Sequence, residues 1–91
     1  MSLTYTVVVL KEKDGRYSVI VPALEGCATW GDTLPEALRM AEEAILAYVD
    51  GFDIALGRSI PSDVEAITVN LGDAAEAAVY KVTARKEAKV A

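Results

Sequence analysis

The chain has no histidine and a single cysteine, and each shortage removes a class of chemistry. Without an imidazole there is no Ser-His or Cys-His couple, no histidine general base and no histidine-rich metal site. Cys27 has no second thiol in the chain to pair with, so no intramolecular disulfide forms and no cysteine cluster holds zinc. No apolar run reaches the roughly 18 residues that a spanning helix needs. The N-terminus also lacks the basic start, long apolar core and cleavage site of a secretory signal. Together these absences predict a cytoplasmic protein that is not an enzyme, carries no cofactor or metal and does not engage a membrane.

Positive charge is scarce as well. The chain carries 9 Lys and Arg against 14 Asp and Glu, a net charge of −5. That balance opposes adhesion to nucleic-acid phosphates and anionic lipid heads, and it suits a basic protein partner. With 91 residues, 53% of them apolar, the chain is one globular domain near the lower end of what buries a self-sufficient core. Self-association is a natural remedy. There are no internal repeats, linkers or low-complexity tracts.

What is present reads as strands around one helix. Tyr5 to Lys11 and Arg16 to Val21 are rich in β-branched and aromatic residues and flank Lys13-Asp14-Gly15, the pattern of a hairpin. Both strands have apolar residues on both parities, so both faces of the sheet are expected to be partly covered, which predicts a homodimer or homotetramer. Pro22 stops the second strand, Glu25 and Gly26 turn the chain, and Cys27 to Trp30 is a short third strand. Thr33 followed by Glu36 is a capping box, with Pro35 in the first turn and Asp32 and Glu36 at the positive end of the helix dipole. From Leu34 the apolar residues Ala37, Leu38, Ala41, Ala44, Ile45, Tyr48, Val49, Phe52 and Leu56 follow helical spacing. Their stripe is expected to carry the helix through Gly51 to a stop at Gly57. Val64 to Leu71 alternates as a half-buried strand. Beyond Gly72 the chain admits two readings: Asp73 caps an Ala-rich segment, while Val79 to Thr83 has strand character, and a short helix or tail is the expectation.

Few side chains suggest chemistry. Cys27 lies between Gly26 and Ala28 on an apolar strand, which fits packing better than nucleophilic attack. The pairs Glu42 with Glu43 and Asp50 with Asp53 sit on a helix exterior near Arg39, the ordinary place for solvated charge. No calcium-loop or phosphate-loop spacing occurs. Trp30 has two readings, a contact anchor or a cover on one end of the core. If exposed, it would have Glu25, Asp32 and Glu36 as an acidic rim suited to Lys and Arg on a partner.

The run Pro22 to Leu38, P-A-L-E-G-C-A-T-W-G-D-T-L-P-E-A-L, carries a resemblance. With Tyr17 and Val21 before it, the residues Pro22, Leu24, Gly26, Cys27, Gly31, Asp32, Thr33, Leu34, Glu36, Ala37 and Leu38 resemble the HicB-type antitoxin domain, loosely as far as Leu71. Glu25 departs from a common proline and Trp30 from a usual polar residue. The resemblance implies an α+β fold of order β-β-β-α-β, an antiparallel meander with one long helix across it, over residues 1–71. Residues 72–91 would be a C-terminal extension. It further implies binding and neutralisation of a small basic HicA-type toxin that cuts mRNA. A DNA-binding segment such as family members often carry does not fit after Leu71, so direct DNA binding is not expected, and Arg85, Lys86 and Lys89 read as a solvated basic tail. The alternative is a stand-alone oligomeric domain that is structural or binds a small ligand.

Overall fold

The computed structural model describes residues 2–51 and 59–85. Among them the elements follow in the order β1 (Ser2–Lys11), β2 (Tyr17–Ile20), β3 (Ala28–Gly31), α1 (Leu34–Asp50) and β4 (Glu76–Arg85). The strands form one sheet in the order β3-β2-β1-β4 with every neighbour antiparallel, so the expected β-β-β-α-β order is the observed one. No helix among the described residues is long and apolar enough to cross a membrane.

The Asp14-Gly15 turn closes the first hairpin as its residues dictate. Gly15 takes φ +92°, and the Asp14 carboxylate accepts the Arg16 backbone N–H at 3.0 Å. The pleat then sends Tyr5, Val7, Val9 and Val19 to one face, where all four are buried. Against them α1 lays Ala37, Ala41, Ile45 and Val49, spaced by one helical turn and buried. Val21, Leu24 and Cys27 close the core from the turn between β2 and β3, which Gly26 permits at φ +78°. Cys27 is therefore a packed core residue, and burial pushes its thiol pKa up.

Helix α1 starts where the capping box places it. The Thr33 Oγ1 accepts the Glu36 backbone N–H at 3.2 Å, but the Glu36 carboxylate accepts the N–H of Asp32, at 3.2 Å, and not that of Thr33. The helix ends sooner than the apolar stripe suggests. Its last residue is Asp50, and the Gly51 N–H closes the final turn on Ala47 and Tyr48. Glycine is among the poorest helix formers, about 1 kcal/mol below alanine, so the apolar periodicity did not carry the helix past it. Phe52, Asp53, Leu56 and Gly57 lie outside the described residues.

Two other expectations are corrected. Val64 to Leu71 forms no strand, and the strand beside β1 is Glu76–Arg85, inside the stretch expected to be a helix or tail. The expected division at residue 71 thus falls before the strand that completes the sheet. The alternation of residues 64–71 is real but serves no core, since Val69 and Leu71 remain exposed. The free edge of β1 is taken instead by a segment of equal length, paired one to one from Ser2↔Arg85 to Lys11↔Glu76. That register places Tyr80, Val82 and Ala84 on the helix side against Val7, Tyr5 and Leu3.

A partly buried clamp holds the connection from α1 to β4. The first half of β1 has no β2 beside it, and the Thr6 N–H finds Asp63 Oδ1 at 2.8 Å. Asp63 Oδ2 accepts the Thr6 hydroxyl at 2.8 Å and Lys81 Nζ at 2.6 Å, while the Tyr5 hydroxyl donates to the Pro61 carbonyl. Burial works against the Asp63 charge, but the bonds from Lys81 and Thr6 outweigh it and hold the carboxyl down at about 2. Beyond the clamp, Val64 to Ile67 lie beside Thr6, Val79 and Lys81, on the face of the sheet away from α1.

Two predictions follow from this packing. A Cβ on Gly31 would stand 2.5 Å from the Ala37 backbone nitrogen, so Gly31→Ala forces α1 off the sheet. The loss should be about 2 kcal/mol or more, read as a lower urea midpoint. Asp63, depressed from its ordinary 3.8 to about 2, contributes stability that is complete above about pH 4 and drains as pH falls through 2. Asp63→Asn should flatten that acid dependence and cost about 1–3 kcal/mol at neutral pH, measured by denaturation across pH.

Candidate functional site

The sheet has one face under α1 and one face toward solvent, and Trp30 belongs to the second. Register decides this. Gly31 and Tyr17 are paired on the helix side, so Trp30, one residue earlier, points away with its partner Ser18. The residue is 54% exposed, which removes the reading of Trp30 as a core cover. On the same face Ile20 and Val79 are exposed, and Val8 is buried between β2 and β4.

Arg16 covers one side of the ring. Its guanidinium carbon lies 5.6 Å from the Trp30 centroid, a cation–π distance. The Asp14 carboxylate fixes that guanidinium, accepting Arg16 Nε and Nη2 at 2.9 Å each. The bond to Asp14 raises the Arg16 pKa, with smaller attractions from Asp32 and Glu12. In return the Arg16 backbone N–H, and then its side chain, lower the Asp14 pKa. Glu12, Asp14, Arg16, Ser18 and Trp30 border one open depression, where the Ser18 hydroxyl donates to Glu12 at 3.0 Å. The surface therefore offers one indole and one guanidinium with Glu12, Asp14 and Asp32 near them, and the exposed Lys13 lies in the adjoining turn.

Of the residues singled out from the sequence, Trp30 and Asp32 share this surface, both exposed and two residues apart. Glu36 is half-buried, and its carboxylate is bonded to the Asp32 backbone. Glu25 is exposed in the turn before β3, at the opposite end of that strand from Asp32. Arg16, Glu12 and Asp14 were missed. Their signal lay in the hairpin register, because the residue diagonal to Trp30 across the β2–β3 pair is two positions before Ser18. Among the described residues no group of carboxylates and thiols is arranged to hold a metal ion. Glu43 is paired with Arg39 at 3.9 Å, the surface pair that i,i+4 spacing predicts. The arrangement offers an exposed indole, a guanidinium paired with Asp14, and further carboxylates beside them.

Comparison with known proteins agrees in fold and extent. Residues 5–85 match the model of the HicB-like antitoxin of bacterial toxin–antitoxin systems, a span that takes in β4. The UPF0150 protein of Thermoplasma acidophilum is 46% identical over 69 residues, covering 75% of this chain and 99% of that protein. The UPF0150 protein of Synechocystis is 41% identical over 59 residues, covering 65% of this chain and 73% of that one. In structure the chain is similar to the N-terminal domain of the Burkholderia pseudomallei antitoxin HicB. The TM-score is 0.56 and the identity 25%, over 86% of this chain and 95% of that domain.

Proposed function

Because the chain belongs to the HicB-like antitoxin family of bacterial toxin–antitoxin systems, we propose that it binds and neutralises a small basic toxin of the HicA kind. It does so by covering the surface with which the toxin holds RNA. The observation that carries this reading is Trp30, exposed on an acidic surface and stacked with a fixed Arg16. A basic, RNA-binding surface presents Lys and Arg side chains. Glu12, Asp14 and Asp32 can pair with them at the rim, while the indole supplies desolvated contact at the centre. Glu36 supports the same contact by fixing the backbone of Asp32, and Glu25 joins it for a partner that spans the length of β3. Inhibition of this kind needs no catalytic group, and it takes place in the cytoplasm, where a toxin that cuts mRNA acts.

The net charge of −5 also supports a chain that does not read DNA itself.

The test is co-purification with a small basic protein encoded beside this one, followed by binding kinetics. Trp30→Ala should weaken the complex by about 2 kcal/mol or more, mainly through faster dissociation, and Asp32→Asn should slow association and reduce its salt dependence. Wild-type affinity in a folded Trp30→Ala variant would move the contact elsewhere, and failure to capture any basic partner would favour the stand-alone module. On duplex DNA from its own upstream region, the chain should give no saturable, sequence-dependent gel shift at physiological salt.

A further inference from the structure

We propose that Trp30 and Asp14 form a seat for an arginine side chain of the partner, which Arg16 fills in the free chain and vacates when the partner binds. This rests on the reading of the surface as the toxin contact and names the group recognised there.

The seat is built without the side chain that fills it. Asp14 is positioned by the backbone, because its Oδ1 accepts the Arg16 N–H at 3.0 Å. The turn is closed by two further backbone bonds, from the Glu12 N–H to the Arg16 carbonyl at 2.8 Å and from the Gly15 N–H to the Glu12 carbonyl at 3.0 Å. The Trp30 backbone is held in the β2–β3 ladder opposite Ser18. None of these bonds uses the guanidinium. Its withdrawal leaves an indole face and the second Asp14 oxygen, Oδ2, beside each other and open to solvent.

The group now in the seat shows which chemistry fits it. The guanidinium carbon lies 5.6 Å from the centre of the indole, while Nε and Nη2 both donate to Asp14 Oδ2 at 2.9 Å. A flat cation can stack and fork at once. An ammonium is a compact, strongly hydrated point charge, so a lysine keeps the attraction but gives up the stack and the fork. Asp32 and Glu12 add attraction for a cation from further off.

The occupant is also free to leave. The Arg16 and Asp14 side chains are 58% and 52% exposed, so their ion pair is of the surface kind that solvent screens. Among the described residues the guanidinium bonds to Asp14 alone. Released into water, it regains hydration and rotamer freedom. Exchange of one guanidinium for another is then nearly balanced at the seat, and the rest of the interface decides it. Arg16 thus covers the indole in the free chain and makes the site selective, since only a second guanidinium replaces every contact that is given up.

Peptide binding by the full chain tests this without a toxin. Trp30 is the single tryptophan, so its emission reports on the seat. Arg16→Gln empties the seat and should bind fluorescein-labelled hexaarginine about fivefold tighter than the wild type by anisotropy, because an exposed stack and a surface ion pair no longer have to be displaced. Unlabelled hexaarginine should return the Trp30 emission of that variant to the wild-type spectrum, and hexalysine should not. Lys13→Gln changes the net charge equally in the same turn and should tighten binding less. Should Arg16→Gln fail to fold by circular dichroism, Arg16→Lys decides, since it keeps the charge, loses the fork and should also bind hexaarginine tighter than the wild type. Equal gains in Arg16→Gln and Lys13→Gln, equal responses to the two peptides, an unmoved Trp30 emission, or no gain in Arg16→Lys would each overturn the proposal. A captured toxin with a failed peptide titration sinks the seat alone, whereas a successful titration with no captured basic protein supports the seat and sinks the toxin reading.

Discussion

The contact between α1 and the sheet depends on small residues meeting at backbone distance. Gly31 has no side chain because the Ala37 backbone occupies the place where one would stand, and Ala37 and Ala41 continue the close approach along the helix. Larger residues then fill what remains, with Ile45 and Val49 over Tyr5, Val7 and Val19. In so short a chain the core is thin, and a displaced helix would lose most of the apolar area that opposes chain entropy. The run from Gly31 through Thr33 to Glu36 is consequently both a packing device and a helix start.

Committing one face of the sheet to α1 leaves the other for external contacts. Its chemistry is graded across the strands. The β3 side carries Trp30, Arg16 and a group of carboxylates, while the β4 side is crossed by residues 64–67 and ends in an apolar edge.

The hairpin, the β3 turn and the helix start were legible because each is written in local chemistry: Asp14-Gly15, Gly26, and Thr33 with Glu36. The fold class followed from them and from the resemblance. The fourth strand was not legible by the same means. Alternation in Val64–Leu71 is as regular as in many strands, and what rejects it is a competition for the edge of β1 that only the assembled sheet reveals. The Asp63 clamp is hidden for a related reason, since Thr6, Asp63 and Lys81 are remote in sequence and share no motif. At the candidate surface Trp30 and Asp32 could be named from composition and position. Arg16 required the strand register, and the dispersal of Glu25 to the far end of β3 required the geometry of the turn.

The pairing of β1 with β4 also sets a schedule for the newborn chain. The ladder joins the first strand to the last, from Lys11↔Glu76 out to Ser2↔Arg85, so its contacts are among the least local the chain can make. Closing so long a loop costs entropy before any bond repays it, which places this step late in folding. The hairpin and α1 can dock first, but β1 keeps an open edge until translation has passed Arg85 and the whole of β4 has emerged from the ribosome. Until then β1 presents an unpaired edge, the kind of surface on which folding chains associate wrongly.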